Sequence, residues 1–298
     1  MKIAVLLTCF NRKEKTLACL RSLYDTHEEC KSPVEAEVFL TDDGSSDGTS
    51  EAVSSLSPFF PLTLLKGDGS LFWNGGMNNS WRAAIKNEGF DGYLWLNDDC
   101  VVLKEFWEDL VRADEYSIAT YGKRGIYVGS TCEPDRETFS YGGFNYINKW
   151  TLKDKLIHPD GKSFQNCQCA HGNITYVSHE VVQQQGVLFD GYHHGAGDHD
   201  YTYLSYKAGI PLFIMPRYAA ICENDHAGKG YLEKMQSMTY KERMRYLWNP
   251  RGGNLKSRLL FQKRCFPYRY FPVLVMSYFK AIFPKTGRFI FLYLRGVR

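Results

Sequence analysis

The sequence predicts an α/β domain on a mostly parallel central sheet flanked by helices, followed by a basic helical C-terminal extension. Three observations carry this expectation. Short apolar runs alternate with amphipathic segments through the first hundred residues. Those runs end in polar turns rich in Asp, Asn and Gly. Past about residue 230 the pattern changes to basic, aromatic segments broken by Pro250, Pro267, Pro272 and Pro284. Repeated β-α-β units of this length bury their strands on both faces, so the strands read as continuous apolar runs.

The elements follow in order. "KIAVLLTCF" is a first buried strand, and "RKEKTLACLRSLYD" places Leu17, Leu20, Leu23 and Tyr24 at helical spacing. "EAEVFLTDDGSSDGT" is a second strand running into a Gly-rich turn, with a short helix over "SEAVSSLS". "LTLLKGDG" is the third strand, "GGMNNSWRAAIKNEG" the third helix and "DGYLWLNDDC" the fourth strand. The middle of the chain is mixed. "YGGFNYINKW" reads as a hairpin or extended segment, "ITYVSHEVVQQQG" as a strand and short helix, "DHDYTYLSYKAG" as a helix and "IPLFIMP" as a last strand. We divide the chain into a domain over 1–228, with halves 1–100 and 101–228, and an extension over 229–298.

At 298 residues, 44% hydrophobic and 23% charged, the composition is that of a globular protein. Nine scattered cysteines, an odd number, do not form a disulfide framework and point to a reducing compartment. The opening apolar run is too short for a secretory signal, and no stretch reaches the roughly 18 apolar residues of a membrane-spanning helix. The net charge of +3 hides an asymmetry. Of 36 Lys and Arg, 11 lie between Arg251 and Arg298, where there is no Asp or Glu, leaving 25 basic against 33 acidic groups before them. That stretch, 251–298, also holds 11 Phe or Tyr. An acidic body without a reader motif argues against nucleic acid as a partner.

Six motifs carry candidate chemistry. "TCFNR" (8–12) sits where the first strand ends, the side on which open parallel sheets bind ligands. "TDDGSSDGT" (41–49) offers Asp42 and Asp43 for a base or ribose, or is simply an Asp-Gly-Ser turn. In "GSLFWNGGMNNS" (69–80), Gly75 and Gly76 allow close backbone approach to a ligand, and Asn78 or Asn79 can anchor it. This is neither a P-loop nor a dinucleotide fingerprint. In "LNDDC", adjacent acids close a buried strand, which suits a hard divalent cation or a solvated strand end. "GAGDHDYTYLSYKAG" puts Asp198 and Asp200 at a helix start, as N-cap or general base. "CENDHAG" offers His226 as a further metal ligand. "CQCAH" (167–171) has no second ligand cluster at zinc spacing and reads as loop or core.

The order of these motifs resembles family-2 glycosyltransferases, whose fold is the GT-A (nucleotide-diphospho-sugar transferase) fold. "TCFNR", "TDDGSSDGT", "LNDDC" and "GDHDY" match the family's motifs over about residues 1 to 226. "GSLFWNGGMNNS" looks like the version in bacterial surface-polysaccharide enzymes. The resemblance implies an inverting hexosyl- or deoxyhexosyltransferase that uses a nucleotide-diphosphate sugar and a glycan or lipid-linked acceptor. It implies that Thr8, Phe10 and Arg12 line the nucleotide and that Asp42 and Asp43 hold base and ribose. Asp99 binds Mn²⁺ or Mg²⁺, with Asp98 or Asn97 toward ribose and sugar. Asp198 is the base and Asp200 its alternative.

Two positions depart from the family pattern: Asn97 replaces an acid, and Gly197 replaces a Glu. They motivate the competing reading of a non-catalytic nucleotide-sugar-binding or scaffold subunit of a membrane assembly; a retaining transferase on the same fold is a third reading. Donor specificity is expected from "FWNGG", "YHHGAG" and "CQCAHGN". The extension suits an anionic membrane surface on the cytoplasmic side, or a helical subdomain that packs.

Overall fold

The structure is a computed structural model that describes residues 1–30, 33–56, 61–224 and 231–285. In chain order its first half contains β1 (Lys2–Cys9), α1 (Lys13–Glu29), β2 (Glu35–Asp42), α2 (Thr49–Ser54), β3 (Leu62–Lys66), α3 (Phe72–Lys86), β4 (Gly92–Leu96), β5 (Val101–Val102) and α4 (Phe106–Tyr121). There follow β6 (Ile126–Cys132), β7 (Gly143–Asn148), β8 (Lys153–Leu156), β9 (Gln165–Asn166), β10 (Cys169–Ala170), β11 (Ile174–Ser178), α5 (His179–Gln185), α6 (Gly197–Lys207) and β12 (Leu212–Ile221). The extension contributes α7 (Tyr231–Gln236), α8 (Tyr240–Trp248), α9 (Leu255–Cys265) and α10 (Tyr270–Ile282).

The main sheet runs β3-β2-β1-β4-β11-β6-β12-β5, with β9 alongside β12. β1, β2, β3 and β4 pair in parallel, as do β6 and β12. β11 runs antiparallel between β4 and β6. The expected α/β class, mostly parallel sheet and helical extension are thus all present, with β11, β5 and β9 as antiparallel members the apolar runs did not distinguish. "YGGFNYINKW" supplies the first arm of a hairpin: β7 pairs antiparallel with β8, and β10 completes a small second sheet.

The core lies on both faces of the main sheet. Ile3, Val5 and Leu7 of β1 enter one apolar cluster while Ala4 and Leu6 enter the other. All five are fully buried, which explains why β1 reads as an unbroken apolar run. On α1, Leu17, Leu20, Leu23 and Tyr24 are buried, as their spacing predicted. Because β1, β2 and β4 are parallel, their carboxyl ends emerge on one side, and that side holds the candidate site.

The described part of the extension packs on itself and on the domain. Met235, Leu247, Leu255, Leu259 and Ala281 form a small core between its helices. Phe261, Cys265 and Phe266 join Phe144, Tyr192 and Tyr203 of the domain in another cluster. An ion pair reinforces this junction: Arg264 Nε donates to both carboxylate oxygens of Asp200, at 2.9 and 3.0 Å.

Candidate active site

A cavity of about 780 Å³ opens at the carboxyl ends of β1, β2 and β4, large enough for a drug-sized ligand. Thr8, Phe10 and Arg12 reach it from the end of β1, Asp43 from β2, and Asn97, Asp98 and Asp99 from β4. Asp198, in the first turn of α6, faces it from the opposite side.

The acids differ in their partners. Asp98 is buried, and one guanidinium nitrogen of Arg12 donates to it at 3.0 Å and to Asp99 at 2.9 Å. Burial pushes the Asp98 carboxyl up to about 6, against the pull of Arg12. Burial alone would lower the Arg12 guanidinium, but Asp98 and Asp99 outweigh it and raise it. Asp99 also accepts from the Cys222 thiol at 3.6 Å. The donor atoms of Asp99, Cys100 and Cys222 lie within 4.8 Å of one another. Asp198 accepts the Gly172 amide N–H and the His199 amide N–H, each at 2.9 Å, which leaves each oxygen a further lone pair.

The two acids of the second motif divide. Asp43 accepts backbone N–H groups of Gly69 (2.9 Å) and Phe72 (3.0 Å), fixing the loop into α3, and lines the cavity. Asp42 instead holds its own turn, accepting from Ser45 N–H at 2.8 Å and from the Ser50 hydroxyl. It does not reach the cavity wall.

Three further expectations are replaced by packing roles. Gly75 and Gly76 do not line the cavity. A Cβ on Gly76 would lie 2.0 Å from Thr8 Oγ1 and 2.7 Å from Thr8 Cβ, so this glycine lets α3 press on β1. Around Gly75 the near neighbour is Leu71, also not a ligand-facing group. Asn79 donates to the Thr41 hydroxyl at 3.2 Å and stays off the wall, while Asn78 is buried against Leu188 and Asp190. Asp200 is 2% exposed and is occupied by Arg264, the Tyr192 hydroxyl (2.9 Å) and the Cys265 thiol (3.4 Å), away from the cavity. His226 lies outside the described residues.

Both departures from the family pattern have local causes. Asn97 Oδ1 accepts the indole N–H of Trp73 at 2.8 Å, which positions that ring on the cavity wall. A Cβ at Gly197 would lie 2.0 Å from Asn74 Oδ1, so Asn74 fills the space a side chain at 197 would need.

Each of the three stretches expected to set specificity does reach the cavity: Phe72 and Trp73 from the first, His194 and Gly195 from the second, His171 and Gly172 from the third. Phe72 (φ 53°) and Ala196 (φ 69°) hold left-handed backbone there, a strain that concentrates at functional sites. His171, in a stretch expected to be loop or core, lines the cavity instead; burial, then neighbouring His199, pushes its imidazole pKa down to about 4. His199 and Glu223 lie inside motifs whose neighbouring residues were singled out instead, while Tyr141 and Arg251 lie outside every candidate motif. The last belongs to the extension, and no local signal links it to the cavity.

Five carboxylates line this cavity, Asp43, Asp98, Asp99, Asp198 and Glu223, against the guanidiniums of Arg12 and Arg251, a formal charge of −3 with histidines neutral. An open sheet of this order, with acids after β2 and β4, an arginine after β1 between them and an acid at the start of a facing helix, has the layout of a GT-A transferase. The chain belongs to glycosyl transferase family 2, whose sequence profile matches residues 4–182. YfnE, an uncharacterized glycosyltransferase of Bacillus subtilis (strain 168), is 29% identical over 115 residues, covering 39% of this chain and 27% of that protein. The match thus spans about a quarter of that relative's length.

Two solved structures share the fold. The mannosyltransferase PcManGT of Pyrobaculum calidifontis, in complex with GDP-Man and Mn²⁺, aligns with a TM-score of 0.52 at 16% identity, over 92% of this chain and 73% of that one. TarS 1–349 of S. aureus, in complex with UDP-GlcNAc, aligns with a TM-score of 0.53 at 13% identity, over 83% and 67%.

Proposed function

We propose that this chain is an inverting, metal-dependent transferase that moves a sugar from a nucleotide-diphosphate sugar to a hydroxyl of a glycan or lipid-linked acceptor. The observation that carries the reading is the cavity's charge. Its formal −3 would repel a diphosphate, so an anionic donor needs a cation to enter. Arg12 neutralises only one of the Asp98–Asp99 pair. Asp99 at the cavity edge, with Asp98 beside it, offers the carboxylate oxygens that a hard divalent ion takes, whereas the Cys222 thiol next to Asp99 is a soft donor that does not suit such an ion. Mn²⁺ or Mg²⁺ bound at Asp99 would offset charge on the departing diphosphate.

The residues supply the rest. Asp198 takes the acceptor hydroxyl proton as its oxygen forms the new bond to the anomeric carbon. The bond from that carbon to the diphosphate oxygen breaks, and the electron pair leaves with the nucleoside diphosphate. Attack opposite the leaving group inverts the anomeric centre. Phe72 and Trp73 on the wall exclude water, which would otherwise compete as nucleophile. The non-catalytic alternative rested on Asn97 and Gly197. With Trp73 bonded to the first and Asn74 beside the second, neither position argues against catalysis.

The test incubates the protein with Mn²⁺ and a panel of nucleotide sugars and measures nucleoside diphosphate release, with and without lipid acceptors. Release that depends on Asp99 and vanishes in Asp198→Asn, with donor binding kept, is the expected result. No release from any donor would falsify the proposal. A product that retains the donor's anomeric configuration by NMR would identify a retaining enzyme instead.

The same reading places the protein in bacterial polysaccharide synthesis, on the cytoplasmic face of a membrane. No described helix is long and apolar enough to cross one. Support for surface binding comes from α10, where Phe271, Val275 and Ile282 are exposed, and from exposed Trp150 in contact with Tyr268. These apolar groups lie on or against the part of the extension from Arg251 onward, which carries no acid. Phe271→Asp with Val275→Asp is expected to abolish sedimentation with phosphatidylglycerol vesicles; unchanged sedimentation rules this part out.

A further inference from the structure

The turn between α8 and α9 brings Arg251 from the extension to the mouth of the cavity. Its guanidinium carbon lies 5.4 Å from the centroid of the Phe72 ring and 5.7 Å from that of Phe10. The turn is firmly built. Gly253 N–H donates to Tyr246 O at 2.8 Å, Asn254 N–H to Asn249 O at 3.0 Å, and the Asn254 side-chain amide to His194 O on the cavity rim. Among the described residues the Arg251 guanidinium has no carboxylate within ion-pairing distance. The cavity's other guanidinium, Arg12, is held by Asp98 and Asp99. An arginine stacked on aromatic faces beside five carboxylates, yet bonded to none, is a donor set waiting for an anion.

We infer that Arg251 binds the diphosphate of the nucleotide-sugar donor, so the C-terminal extension supplies a binding residue of the donor site. This rests on the nucleotide-sugar reading above. Guanidinium forks match phosphate oxygens with paired, charge-assisted hydrogen bonds. Phe10 and Phe72 place Arg251 beside the β1 end and the start of α3, on the first-half side of the cavity. That position favours the nucleotide's phosphates over those of a lipid-linked acceptor.

The experiment titrates the full chain with UDP, GDP, CDP and dTDP in the presence of Mn²⁺ by calorimetry. It then compares the diphosphate that binds with its monophosphate and its nucleoside. Arg251→Ala should weaken the diphosphate about 10- to 100-fold, the range of a lost charge-assisted hydrogen bond. The monophosphate and nucleoside should change less than about 3-fold, within what a lost surface contact gives. Arg251→Lys should fall between wild type and Arg251→Ala, because a point charge lacks the fork. Arg251 is exposed, so the variant should unfold at the wild-type midpoint.

Equal weakening of diphosphate, monophosphate and nucleoside would assign Arg251 to the base and overturn the inference. Unchanged diphosphate affinity would overturn it as well, and loss of affinity for a lipid diphosphate alone would move the residue to the acceptor. Failure of the wild-type chain to bind any of the four diphosphates would defeat the nucleotide reading itself.

Discussion

Asp198 and Asp200 stand two residues apart on α6, and replacing each by Asn separates their roles. Asp200 is 2% exposed and accepts from Arg264 at 2.9 and 3.0 Å, from the Tyr192 hydroxyl at 2.9 Å and from the Cys265 thiol at 3.4 Å. Arg264→Ala leaves that carboxylate buried with only a hydroxyl and a thiol, a loss of about 3–5 kcal/mol of stability. Asp200→Asn keeps an acceptor for Tyr192 but weakens charge-assisted bonds, a loss of about 1.5–3 kcal/mol. The double variant no longer strands a charge, so it should be more stable than the summed single losses predict, by about 1 kcal/mol or more. Urea unfolding followed by tryptophan fluorescence gives each midpoint, and diphosphate release from the donor gives each turnover. Asp200→Asn should retain turnover within about tenfold where it remains folded, since the residue does not line the cavity. A folded Asp200→Asn protein with turnover reduced about a thousandfold would refute this account, because only a group in the chemistry costs that much.

Two further predictions rest on other contacts. Gly197→Ala puts a Cβ 2.0 Å from Asn74 Oδ1, and Asn74 is buried with its amide fixed to Phe189 O at 3.0 Å. Overpacking of this kind costs about 1–3 kcal/mol, and Asn74→Ala in the same chain should recover part of it; a neutral Gly197→Ala would show that the wall yields. His171, held neutral by burial and by His199, takes up a proton more readily in the unfolded chain. Its folded pKa is depressed, so its contribution is fully present above about pH 6.5 and is lost as pH falls below that value. Urea midpoints measured from pH 7.5 to 4.5 should therefore fall less steeply in His171→Gln than in wild type, and identical slopes would exclude the effect.

The strand ends were legible because two signals coincide there. A buried apolar run fixes the strand, and the polar residues after it land on one side of a parallel sheet. Thr8, Arg12, Asp43, Asp98 and Asp99 are on the cavity wall for that reason. What could not be read is which polar group faces the cavity and which ties the chain. Asp42 and Asp43 are adjacent and chemically identical, yet one caps its own turn and the other fixes the loop before α3. Gly76 satisfies the same sequence pattern whether a phosphate or Thr8 comes close, and only the neighbour at 2.0 Å decides. Antiparallel β11 was hidden because its five buried residues look like those of any strand covered on both faces.

Arg251 shows the deeper limit. Its place beside Phe10 and Phe72 depends on how the extension docks, and one polar anchor of that docking joins residues 64 apart in sequence. No periodicity or motif spacing encodes such a pairing. It also changes how the extension should be tested. A chain cut near Arg251 loses the cavity guanidinium and the partner of buried Asp200 together with any lipid-binding face. Its loss of function would then be assigned to membrane release when the cavity wall itself had been altered. Point changes on α10 leave Arg251 and Arg264 in place and separate the two causes. The acidic body and basic extension, which nearly cancel in a net charge of +3, meet at two named contacts: Arg264 against Asp200 in the interior, and Arg251 at the mouth of a cavity whose other charged groups, five acids and Arg12, leave a formal −4. The charge asymmetry read from composition is therefore part of how the site is assembled.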